Sequence, residues 1–166
     1  MIAPPFGPEQ IKRLLPHRYP MLLVDRVTAA QPGVSLTAVK AVTVNEPCYR
    51  GLSQDADHDY PVSLLIESWC QAAGLLACLD RPNPDVLRGM VTLFGSITDL
   101  RLGRPARPGD LLEHRVRLVR AVTDAAVFEG ESLLADGCEA LSVASIVIAL
   151  RPAESLRERT TEHAAR

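Results

Sequence analysis

From Pro61 to Leu79 almost every position is apolar or small, and Leu65, Trp69, Ala72, Leu76 and Leu79 recur at helical spacing. Ile66, Cys70, Ala73 and Ala77 carry the apolar surface round the rest of the helix, which is therefore expected to be buried on most sides. Pro61 stands where a first turn tolerates proline, and Arg81-Pro82-Asn83-Pro84 stops the helix. Elsewhere the period is two. Residues 33–44, GVSLTAVKAVTV, alternate and are rich in Val and Thr, so they read as a strand. The apolar run Met21 to Val27 reads as its partner, joined through the turn Gln31-Pro32-Gly33 in an antiparallel hairpin. Four more strands are expected near 90–101, 110–121, 125–135 and 138–150. A Pro/Gly connection spans 104–110, and Ala135-Asp136-Gly137 marks a tight turn.

Before these elements, PEQIKRLL forms a short helix that ends ahead of Pro16. Residues 1–8 are expected to be poorly ordered, 9–151 to form a single domain, and 152–166 to be a charged, solvated tail. One long buried helix with about six mostly antiparallel strands is an α+β layout in which a curved sheet wraps the helix. Such a sheet keeps an open edge, which predicts dimerisation by edge pairing.

Composition narrows the partners. With 166 residues and a net charge of −2, the chain has no basic excess for nucleic acid or an anionic membrane. Among its cationic residues only Lys12 and Lys40 are lysines, a bias in keeping with a GC-rich genome. Cys48, Cys70, Cys78 and Cys138 form no CxxC pair and have no histidine at ligand spacing, so reduced thiols and no metal are expected. No apolar run approaches a membrane span, and the N-terminus lacks a basic-then-apolar leader, so a cytoplasmic location is expected.

Within the apolar helix stand one carboxylate, Glu67, and one carboxamide, Gln71. Four residues apart, they share a face within hydrogen-bonding reach. A charge in such a setting is costly unless partnered, so burial is expected to raise the Glu67 pKa by desolvation and to keep the carboxyl protonated more often, ready to act as an acid. The loop before the helix carries Asp55, Asp57, His58 and Asp59, read as a solvated acidic run rather than a cation site. His17, between two prolines, reads as a turn histidine bonded to backbone, His114 as structural, and His163 as part of the tail. Trp69 is expected in the core or a dimer interface. Arg101, Arg104 and Arg107 offer either a solvated face or a contact for an acidic partner.

Four segments together carry a resemblance: LPHRYPMLLVDRV (15–27), Asn45-Glu46-Pro47, the helix P-x-x-L-x-x-E-x-x-x-Q-A (61–72) and RPARPGDLL (104–112). In order and spacing, over roughly residues 10–150, they resemble the (3R)-hydroxyacyl-acyl-carrier-protein dehydratases, which have the hotdog fold. The resemblance implies syn-type loss of water from a 3-hydroxyacyl thioester carried on the phosphopantetheine of acyl carrier protein, in fatty-acid or polyketide synthesis. It implies no metal or cofactor. A loop histidine would take the C2 proton, and a helix carboxylate from the other protomer would protonate the departing hydroxyl. Carried over, Glu67 falls on that carboxylate and Gln71 on the glutamine that follows it; His17 also resembles a family position, though the turn reading is preferred for it. Backbone N–H groups at Val62, Ser63 and Leu64 would hold the thioester carbonyl, where the helix dipole favours negative charge.

The chain departs from the family at the base. Where the family has Gly-His-Phe-Pro, this sequence has Gly51 followed by Leu52, Ser53 and Gln54, in a loop one residue longer. The family's glycine after the helix-opening proline is Val62 here. Three completions follow: a heterodimer whose partner supplies the histidine, His58 swung into the role, or a non-catalytic acyl-binding subunit. A hotdog acyl thioesterase, in which a helix carboxylate activates water, is the alternative from a different reaction class.

Overall fold

The computed structural model describes residues 3–155. Its elements are α1 (Pro8–Leu14), β1 (Arg26–Gln31), β2 (Ser35–Ala41), α2 (Val62–Cys78), β3 (Met90–Leu102), β4 (Leu111–Val122), β5 (Ala125–Leu134) and β6 (Glu139–Pro152). The strands form one antiparallel sheet in the order β1-β2-β4-β5-β6-β3, with α2 packed across it. This is the expected helix wrapped by a curved sheet.

Period-two burial explains how the sheet grips the helix. In β2 the inward positions are Leu36, Ala38 and Lys40, and in β4 they are Leu112, His114 and Val116. Trp69 of α2 is fully buried against this surface, and its indole N–H donates to the Arg115 carbonyl at 3.3 Å. Trp69 therefore belongs to the core of the single chain.

Two expectations at the N-terminal end need correction. Residues 3–8 are held rather than loose: Phe6 is buried, and its N–H and carbonyl both pair with Val27. The predicted strand over Met21–Val27 begins only at Arg26. Its earlier backbone is claimed by a side chain of α2, because Gln71 takes the Met21 carbonyl and the Leu23 N–H. Hydrophobicity still fixes the burial of Leu23 and Val24, but the Leu23 N–H goes to the helix, and the first bond to β2 is that of the Asp25 N–H to the Val39 carbonyl. The hairpin turn is as expected, with Gly33 at φ 69°.

At the other end, the first residues of the predicted tail also join the fold. Ala153 is buried and donates its N–H to the Gly89 carbonyl. Residues 156–166, including His163, lie outside the described residues. Among the described residues no helix is long and apolar enough to cross a membrane.

The 45–61 loop is anchored at both ends. Buried Lys40 reaches the Glu46 carboxylate at 3.0 Å, and the same oxygen accepts the Thr43 N–H at 3.0 Å. At the far end the Tyr60 N–H donates to Ala106 at 2.7 Å, and Arg107 grips Asp59 at 2.6 Å. The proline-glycine connection before β4 thus pins the loop that precedes α2.

Candidate active site

Glu67 and Gln71 form the pair their spacing predicts: Gln71 Nε2 donates to Glu67 Oε1 at 2.9 Å. Gln71 is fully buried and uses both ends of its amide. Its Nε2 also donates to the Met21 carbonyl at 2.7 Å, and its Oε1 accepts the Leu23 N–H at 2.9 Å. The amide can therefore neither flip nor swing, and it fixes the carboxylate beside it.

The second group at Glu67 is His17, whose Nε2 lies 3.4 Å from the same Oε1. The bland reading of His17 as a turn residue bonded to backbone is corrected here. Its ring addresses the helix carboxylate, and its Nδ1 is buried with no partner among the described residues. Arg18 explains how the turn is held, since its guanidinium donates to the carbonyls of Lys12, Leu15 and His17 at 2.7–3.0 Å. It ties the carbonyls at the end of α1 to the Pro16–Pro20 turn and so aims the imidazole.

These contacts reverse one expectation about charge. Burial pushes the Glu67 carboxyl up, but the hydrogen bonds from His17 and Gln71 and the charge of a protonated His17 outweigh it. The carboxyl is held below the ordinary carboxylate range, so Glu67 is ionised at neutral pH. Counting desolvation without the donors gives the wrong sign.

Glu67, His17 and Gln71 line a cavity of about 250 Å³ whose other walls include Gly74, Val91 and Phe94. Here β3 approaches the helix at Gly74, where an added Cβ would lie 3.9 Å from the Phe94 ring and 3.5 Å from Leu15. His58 lines no part of this cavity. Its Nδ1 lies 2.8 Å from the Ala56 carbonyl, its ring stacks on Tyr49 at 6.0 Å, and its own carbonyl accepts the Tyr49 hydroxyl at 3.3 Å. Within one chain the two predicted proton-transfer residues are not brought together.

At the start of α2, the N–H groups of Val62 and Ser63 meet no acceptor among the described residues. The Leu64 N–H is already bonded to the Pro61 carbonyl at 2.9 Å, so it is removed from the expected carbonyl site. Two free donors remain at the positive end of the helix.

Arg104, Arg107 and His114 are otherwise engaged. Arg104 pairs with Asp136, while Arg107 pairs with Asp57 and Asp59. His114 is fully buried against Ser132 at 2.7 Å. Among the described residues no His, Cys, Asp or Glu cluster is arranged to hold a metal, and all four cysteines are free.

Solved structures define the class. The chain is similar to the dehydratase heterocomplex ApeI:P from Xenorhabdus doucetiae, with TM-score 0.70 and 19% identity over 90% of this chain and 96% of that one. It is also similar to a hot-dog-like protein from Thermanaerovibrio acidaminovorans, with TM-score 0.62 and 17% identity over 80% and 91%. This is a hotdog-fold protein. Residues 15–143 match the FabA-like domain family, and the chain belongs to that family. Two relatives bear the name 3-hydroxyacyl-acyl-carrier-protein dehydratase FabZ. That of Campylobacter hominis is 39% identical over 128 residues, covering 76% of this chain and 86% of the relative. That of Shewanella loihica is 39% identical over 146 residues, covering 86% and 91%.

Proposed function

We propose that this protein is a cytoplasmic dehydratase that eliminates water from 3-hydroxyacyl thioesters on acyl carrier protein, in fatty-acid or polyketide synthesis. Glu67 is its proton-transferring carboxylate. One observation carries the reading: a buried helix presents an ionised, doubly held carboxylate to a cavity walled by apolar residues of β3. The names of relatives matched over most of both chains supply the substrate class. The thioester carbonyl rests against the N–H groups of Val62 and Ser63, where developing enolate charge meets the helix dipole. The working unit is a dimer formed through β3. That strand is a sheet edge carrying exposed Met90, Leu93, Phe94, Ile97 and Leu102.

The reading has a heteromeric alternative, raised by the exposed Leu52 where the family places histidine. A second hotdog chain with a loop histidine would then bring the base, and ApeI:P is an example of a dehydratase heterocomplex. The test is product analysis with a carrier-bound (3R)-hydroxyacyl chain, for this protein alone and paired with such a chain. Enoyl product supports dehydration, free acid supports a thioesterase instead, and no turnover in either assembly refutes both. The Glu67→Gln variant should lose about 100-fold or more of the enoyl-forming rate while its circular dichroism is unchanged.

A further inference from the structure

We infer that Glu67 alone shuttles the proton of this elimination, with His17 and Gln71 as positioning residues that hold Oε1 and leave Oε2 to the substrate. The inference rests on the dehydratase reading, and it explains how a chain without the loop histidine can be complete.

The two carboxylate oxygens differ. Oε1 receives Gln71 Nε2 at 2.9 Å and faces His17 Nε2 at 3.4 Å, whereas Oε2 meets no donor among the described residues. With one oxygen held from two sides, the carboxylate cannot rotate freely, and its other oxygen is free to take a proton from the cavity. His17 suits the holding role. Its Nε2 is aimed at Oε1 and helps to hold the carboxyl ionised, while its Nδ1 is buried without a partner among the described residues. At 3.4 Å the contact is a long one, of the kind that tightens in the reacting complex.

The chemistry balances with this one group. Glu67 Oε2 takes the proton from C2, and the C2–H electron pair becomes the C2=C3 double bond. The C3–O bond breaks, and the departing hydroxyl takes the same proton from Glu67 and leaves as water. The carboxylate is regenerated without any further acid or base. A single group serving both carbons requires that hydrogen and hydroxyl leave from the same face, a syn elimination.

Few other groups can titrate here. His17 comes from the connection between α1 and β1, and Cys70 lies on α2 itself. Its thiol is pushed up to about 12, first by burial and then by the Glu67 charge. The β3 wall contributes Val91, Thr92, Leu93 and Phe94, with no charge.

The test compares His17→Ala and His17→Gln with the unaltered protein, assayed without any other hotdog chain. It follows enoyl formation against pH and the Glu67 carboxyl by NMR of 13C-labelled glutamate. The unaltered protein should turn over alone. His17→Ala should lower kcat about 10- to 100-fold with a smaller change in KM, and should move both the acid limb and the Glu67 titration to higher pH. His17→Gln, which restores an N–H donor but cannot carry an acid–base proton, should recover most of both. The inference is overturned if the Gln variant is as impaired as the Ala variant. It is also overturned if activity depends on His58, or if enoyl product forms only after a histidine-bearing chain is added. Those results leave the dehydratase reading standing. Absence of enoyl product in every assembly removes both.

Discussion

At the residue scale, one amide does most of the fixing. Gln71 satisfies the Met21 carbonyl, the Leu23 N–H and the Glu67 carboxylate together, all at 2.7–2.9 Å. Replacing it with leucine keeps the volume and strands three polar groups, so Gln71→Leu should cost roughly 2–4 kcal/mol of unfolding free energy in urea titrations. The Glu67–Gln71 pair was legible from spacing alone, because residues four apart on a helix must meet. His17 was not, since 50 positions separate it from Glu67 and only the tertiary fold joins them. A usable signal was present in the two prolines that frame His17, since a rigid turn fixes where the residues inside it point. Glu67 also carries a stability consequence. Its folded pKa is depressed, so its contribution is present above the ordinary carboxylate pKa and is lost as pH falls through the folded value.

At the element scale, α2 and the four later strands followed from hydrophobic period with bounds close to those observed, whereas the stretch before β1 did not. Residues 21–25 have the composition of a strand, but pattern reports only which side chains are buried. Where the backbone hydrogen bonds go depended on an amide in another element. The two sheet edges are likewise unequal in ways the sequence does not display. β1 has six residues and is partly covered by the Phe6–Val27 bridge, while β3 has thirteen and, among the described residues, pairs only with β6. The β3 edge is the exposed apolar one. Ile97→Asp should therefore weaken the proposed dimer, seen as a shift to monomer in sedimentation velocity, with enoyl formation falling in parallel.

At the scale of the whole molecule, acid should unfold this protein partly through one residue remote from the site. His114 is fully buried, and burial, reinforced by the charge of Lys40, pushes its pKa down to about 3. The unfolded chain takes up this proton near the ordinary histidine pKa and the folded chain does not, so between the two values the unfolded state binds more protons. Stability is whole above pH about 6.5 and falls as pH drops toward 3, by on the order of 4–5 kcal/mol from this group. His114→Leu combined with Ser132→Ala removes the titrating ring without orphaning its hydroxyl partner. It should flatten the acid side of a Tm-against-pH curve.

The sheet order has a further consequence during synthesis. β3 is the third strand made, yet its neighbour in the sheet is β6, the last. A nascent chain therefore carries β3 with both edges unpaired until β6 has left the ribosome, an interval of a few seconds at roughly 5–20 residues per second. Throughout that interval Phe94 and Ile97 are available to any other strand, including the same segment on a neighbouring nascent chain. A message truncated before Glu139 would never close the sheet, and its product would be a substrate for chaperones and proteases rather than a smaller enzyme.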